Sequence, residues 1–122
     1  MTPSLVAAVV LAGAAGAVAR AWVGEAVLRR WPRRGLGTLA VNLSGAFLLG
    51  LWTGLPAVPA TWLEVVGTGF LGAFTTFSTW MFEVTAAWRD RRRATVVVEV
   101  GATLALGVAL AALGFVLGKS WA

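Results

Sequence analysis

Residues 67–80, GTGFLGAFTTFSTW, limit what this chain can fold into more than any other stretch. They lie in an apolar run over about 62–88, yet four hydroxyl residues (Thr75, Thr76, Ser78, Thr79) sit between the aromatics Phe74, Phe77 and Trp80. Backbone and hydroxyl groups left unpaired in hydrocarbon cost several kcal/mol each. A polar, glycine-loosened segment is tolerated at membrane depth only where it faces protein, ions or water. It reads as a broken transmembrane helix lining a small polar path.

The rest of the chain supplies the membrane context. Of 122 residues, 59% are apolar and 12% charged, and the mean hydropathy is +0.84; soluble domains carry about 25% charged residues. A spanning helix needs roughly 20 mainly apolar residues. Four spans, at about 5–28, 37–55, 62–88 and 95–117, use almost the whole length and leave no room for a soluble domain. The expected fold is all-α and integral to the membrane, a single domain over 1–122. Cysteine and histidine are both absent, which excludes disulfides and thiolate metal sites and removes the commonest metal ligand and neutral-pH base. The net charge of +5 raises nucleic acid as a partner, but the arginines gather at span ends, where membrane topology accounts for them.

In the first span, Ala19-Arg20-Ala21 resembles a signal cleavage site. The leader lacks Lys and Arg and the apolar stretch is long for a signal, so the span is expected to be retained. Gly13, Ala14, Gly16 and Ala17 form a small-residue face for close helix packing. Arg20 lies inside the span, five residues before Glu25. It either snorkels to the interface or faces a polar vestibule where it attracts an anion. A basic connection, 29–35, follows, with Pro32 to stop the helix and Trp31 at headgroup level. The second span places Thr38 and Asn42 on one face. The Asn42 amide needs partners for its oxygen and both N–H groups. It either glues helices together or donates to a permeating anion.

The third span contains Gly67, Gly69 and Gly72, which match G-x-G-x-x-G. A dinucleotide site is rejected, because no βαβ unit surrounds them and the nearest acid is Glu83. The glycines thin a helix so that its backbone can approach a partner. Phe74, Phe77 and Trp80 recur every three residues, an aromatic stripe with Thr76 and Thr79 beside it. The fourth span holds Glu99, read as an acid snorkelling toward the arginines, Thr103, and a Gly114/Gly118 packing pair.

An enzyme is disfavoured: no carboxylate pair is expected to converge, and the acids sit at span ends. A secondary transporter usually shows internal repeats and more helices. A small channel remains, and four short helices enclose so little that an oligomer is expected.

Three segments then carry a resemblance along nearly the whole chain. They are 13–20 (GAAGAVAR), 37–50 (GTLAVNLSGAFLLG) and 69–80 (GFLGAFTTFSTW). In this order and spacing the chain resembles the CrcB/Fluc family of fluoride ion channels. The resemblance implies four-helix subunits paired antiparallel in a bacterial cell membrane, with two fluoride pores and a structural Na⁺ at the dimer axis. It places that Na⁺ on the main-chain carbonyls of Gly72 and Thr75, oxygen ligands that suit a hard cation. The family's pore asparagine falls on Asn42 and its first-helix arginine on Arg20. Its hydroxyl track falls on Thr76, Ser78 and Thr79, with Thr103 from the fourth helix. Its paired phenylalanines fall on Phe77 and, with a departure, on Trp80. The implied function is passive efflux of cytoplasmic fluoride, giving fluoride resistance. The alternatives are a cation-coupled fluoride transporter, or a structural subunit of a heterodimeric channel.

Fluoride is small and strongly hydrated, so a pore must replace its water with amide N–H groups, hydroxyls and the positive edges of aromatic rings. Charge distribution adds an orientation. The loops at 29–35 and 89–94 share one side and carry eight arginines, whereas the other side carries only Lys119. The basic loops are expected in the cytoplasm, and so strong a bias favours an oppositely oriented paralogue as the antiparallel mate over a second copy of this chain.

Overall fold

The computed structural model describes residues 1–121, and every regular element in them is helical. Helix α1 (Pro3–Arg30) begins where the Thr2 hydroxyl accepts the Leu5 N–H at 3.3 Å, with Pro3 in the first turn. It ends on Arg29 and Arg30, cations placed at the negative end of the helix dipole. Helix α2 (Leu36–Gly54) starts from Gly35, whose φ of 82° is left-handed and suits glycine. The third crossing is assembled from pieces. A single turn, α3 (Ala60–Trp62), leads into a π-helical stretch (Leu63–Leu71) and a second short turn, α4 (Gly72–Phe74). Thr75 and Thr76 are then fully extended, and α5 (Phe77–Arg89) resumes. Helix α6 (Arg93–Lys119) completes four crossings. Three of the helices, α1, α2 and α6, are each long and apolar enough to span a membrane; the broken third crossing is the exception.

Packing relies on glycine more than on large side chains. In lipid there is little hydrophobic drive between helices, so close backbone approach and van der Waals contact hold them. Helices α2 and α6 run parallel and interlock through four glycines. A Cβ at Gly50 would fall on the Ala111 carbonyl, at Gly54 on Phe115, at Gly114 on Phe47 and at Gly118 on Leu51. The small-residue face of α1 does the same work: Gly16 abuts the Phe70 carbonyl, and Gly69 lies against the Val9 carbonyl. Only Val41, Leu71, Phe74 and Ala87 are buried apolar residues among those described. Trp22, Val97 and Val108 are strongly exposed, at 73%, 71% and 70%, on faces suited to acyl chains.

The two ends are distinct. Arg34 pairs with Asp90 at 3.7 Å, joining the two arginine-rich loops. At the opposite end, the Trp52 indole N–H donates to the Trp62 carbonyl at 3.3 Å. A shallow cavity there is shared by Thr2, Ser4, Thr61 and Trp62. The N-terminus and the 56–61 turn thus lie together, away from the arginines.

The aromatic stripe read from sequence is not continuous. Phe74 precedes the break, is buried, and stacks on Phe70 with ring centroids 6.1 Å apart. Phe77 and Trp80 follow the break and pack edge to face at 5.7 Å. Two extended residues between Phe74 and Phe77 destroy the helical phase that a three-residue spacing assumes.

Candidate functional site

The break is held open by one side chain. Asn42, on α2, accepts the Thr76 N–H at 2.8 Å and donates to the Thr76 carbonyl at 2.9 Å. In a continuous helix the Thr76 N–H would serve the Gly72 carbonyl, four residues earlier. Asn42 takes that donor and leaves the Gly72 oxygen without it. The next displacement comes from Thr76 itself, which caps α5. Its hydroxyl accepts the Thr79 N–H at 3.3 Å, the donor that a continuous helix would give to the Thr75 carbonyl. Two side chains thus strip their helical donors from two backbone oxygens at the centre of the chain. The Thr75 hydroxyl donates its proton back to the Leu71 carbonyl at 3.1 Å, so it is not a free donor to the site.

Arg20 reaches this point from α1. Its Nη1 lies 3.4 Å from the Thr75 carbonyl, and among the described residues it forms no ion pair with Glu25. The side chain is turned toward the break, which favours the vestibule reading over snorkelling. Thr38, one turn before Asn42, donates to Glu83 on α5 at 2.8 Å. One face of α2 therefore anchors both the break and the helix that follows it.

These residues divide the polar space. An open groove of about 360 Å³ is lined on its polar side by Asn42, Thr75, Thr76 and Thr103, with Phe77 and Trp80 along its wall. A second cavity of about 240 Å³ holds Arg20, Thr38, Thr76, Thr79 and Glu83. Thr76 belongs to both, so the Asn42–Thr76 clamp is the partition. The hydroxyl track is a compact cluster, with the Thr76 hydroxyl 3.1 Å from that of Thr79 and 3.4 Å from that of Ser78. Ser78 is exposed and lines neither space. Phe77 is 70% exposed and edges the open side of the groove. Thr103 hydrogen-bonds to none of the described residues, unlike Ser44 and Thr53, which fold back on carbonyls of their own helix. Its hydroxyl is left for the groove.

One expectation fails here. Two carboxylates do converge: Glu99 Oε1 and Glu83 Oε2 lie 3.4 and 3.7 Å from where a Cβ at Gly35 would stand. They line a third cavity of about 150 Å³ with Arg33, Arg34, Trp80 and Thr103. The sequence hides this, because parallel packing of α2 and α6 brings Glu99 level with the start of α2, and Thr38 pulls Glu83 inward. Glu99 thus shares a cavity with Arg33 and Arg34 of the basic loop, and Glu83 is its unexpected neighbour there. Glu83 is the residue that sequence reasoning passed over. The available signal was its position three after Trp80, on the same face of α5.

The fold and site together define a multi-pass membrane protein whose third span is broken over a donor-lined groove. The family model described as CrcB-like protein, Camphor Resistance (CrcB), matches residues 7–115, and the chain belongs to that family. It is similar to the protein named fluoride-specific ion channel FluC 1 of Geobacillus kaustophilus (strain HTA426). The two are 50% identical over 111 residues, covering 91% of this chain and 95% of that one. It is 46% identical over 115 residues to the protein of the same name from Symbiobacterium thermophilum, covering 88% and 92%. It is 42% identical over 115 residues to fluoride-specific ion channel FluC 2 of Mycobacterium bovis, covering 93% and 90%.

Proposed function

We propose that this chain is the subunit of a fluoride-selective channel, not an enzyme, that lets cytoplasmic fluoride leave a bacterial cell down its electrochemical gradient. The observation that carries the reading is the groove beside the clamp. It is walled by apolar and aromatic groups and offers a few hydrogen-bond donors. Asn42 keeps one amide hydrogen that no described residue accepts, and the Thr103 hydroxyl faces the same space. Such donors replace the water of a small, hard anion, whereas a larger, more weakly hydrated halide gains less from them. Arg20 supplies positive charge on the far side of the partition and so raises the local anion concentration.

The subunit pairs antiparallel with a second chain, and the groove's open face, edged by exposed Phe77, is where that chain would complete the pore. Structural Na⁺ fits the break. The Gly72 and Thr75 carbonyls have lost their helical donors, and a hard cation takes oxygen ligands of this kind. Arg20 leaning on the Thr75 oxygen is the one opposing charge, which leaves Gly72 the less encumbered ligand. A bound Na⁺ would supply fixed positive charge that holds the broken ends together.

Efflux from proteoliposomes that hold the chain together with its antiparallel mate tests the reading. Fluoride should leave rapidly and chloride negligibly, with the fluoride rate unchanged when the Na⁺ gradient is reversed. Equal chloride flux would overturn the selectivity, and a rate that follows the Na⁺ gradient would identify a coupled transporter instead.

A further inference from the structure

Among the described residues two buried side-chain polar atoms lack a hydrogen-bond partner, Glu64 Oε2 and Trp80 Nε1, and of the two only Trp80 borders the groove beside Asn42. Its Nε1 is closed off from solvent and, among the described residues, finds no acceptor. A buried donor in that state bears its desolvation cost uncompensated, and an indole N–H inside a protein normally has a partner. The position of the ring gives the orphan its interest. The groove beside Asn42 and the cavity holding Glu83, Glu99, Arg33 and Arg34 have only two residues in common, Trp80 and Thr103. The indole therefore stands at the junction between the arginine-rich end of the molecule and the donor-lined groove. Thr103 faces it from α6 with a hydroxyl that is also uncommitted. Phe77 packs edge to face against the ring at 5.7 Å, bracing it on the groove side.

We infer that Trp80 is an anion-operated closure, whose indole fills the junction when it is empty and hydrogen-bonds an arriving fluoride through Nε1–H. The inference rests on the channel reading above and deepens it. An entering anion is the acceptor that the protein withholds from this N–H, so its arrival offsets the cost of the orphan and of a shift of the ring. Phenylalanine could wall the junction but has no N–H with which to hold the ion. The cavity on the arginine side sets two carboxylates, Glu83 and Glu99, against Arg33 and Arg34, and the Trp80 N–H and the Thr103 hydroxyl are the donors at its boundary with the groove. The consequence is a pore that holds fluoride more tightly at this point than an all-phenylalanine junction would.

The test is an indole ¹H–¹⁵N spectrum of the full chain in membrane nanodiscs, titrated with sodium fluoride and, separately, with sodium chloride. The protein has seven tryptophans, and the Trp80 signal is assigned by its loss in Trp80→Phe. Trp80→Leu assigns it equally if the first variant is unstable. The Trp80 indole proton should move downfield with fluoride and stay still with chloride. In flux assays the half-saturating fluoride concentration of Trp80→Phe should rise about tenfold, the effect of one lost hydrogen bond to a charged group. A Trp80 signal that stays still in protein that conducts fluoride overturns this inference alone, as does an unchanged half-saturation. Absence of fluoride efflux from the native chain even when it is reconstituted with its antiparallel mate would overturn the channel reading itself.

Discussion

Asn42 shows how much a single side chain decides here. An amide in hydrocarbon demands partners, and that demand alone singled the residue out in the sequence. Its partner is the backbone of a residue 34 positions away, which no local spacing reveals. The amide is therefore a structural clamp through its oxygen and one hydrogen, and its other hydrogen has no acceptor among the described residues. Asn42→Asp removes the donor to Thr76 and sets a negative charge in the proposed path. Fluoride efflux from the folded variant should fall at least about tenfold, as expected for unfavourable charge in a low-dielectric site. Efflux equal to that of the native chain, from protein that elutes as a single homogeneous species, would remove Asn42 from the pore.

At the scale of elements, glycine placement explains why these helices pack and where the third one breaks. The run of glycines in the third span invites the view that they cause the break, yet the chain stays helical through Gly67, Gly69 and Gly72. The break falls on Thr75 and Thr76, where side chains compete for backbone donors. The glycines serve close approach instead, as the contact of Gly69 with the Val9 carbonyl illustrates. Gly114→Ala should place a methyl group on the Phe47 carbonyl and cost about 1–3 kcal/mol, the usual range for overpacking. Gly101→Ala meets nothing within 4 Å and should hold or raise stability, since alanine is the better helix former by about 1 kcal/mol. Thermal unfolding in detergent distinguishes them: the Gly114 variant should melt lower and the Gly101 variant should not. Equal loss in both would argue against the interlocked α2–α6 seam.

For the whole molecule, the distribution of charge matters more than any one ion pair. The Arg34–Asp90 contact joins two exposed side chains and is worth less than about 1 kcal/mol. What counts is that eight arginines occupy one end and Lys119 stands alone at the other. Such asymmetry should insert the chain one way only, with both basic loops in the cytoplasm. On that prediction the antiparallel mate would be an oppositely biased paralogue rather than a second copy of this chain. Reporters fused to the C-terminus of the chain expressed alone should signal only from outside the cytoplasm. Equal signal on both sides, or strong fluoride flux from the purified single chain, would restore a homodimer.

Membrane insertion, the four crossings and the basic end were legible in the sequence, because they depend on quantities that add along the chain: apolar length, arginine count and proline position. Asn42, Thr76, Trp80 and Arg20 were legible as residue types that hydrocarbon does not tolerate idly. Their pairing was not legible. The clamp on Thr76, the Glu83–Glu99 convergence over Gly35 and the separation of Phe74 from Phe77 each depend on which backbone donor a distant side chain captures. That competition is resolved only when α2 lies against the break and α6, because a hydrogen bond has a reach of about 3 Å and sequence distance has no bearing on it.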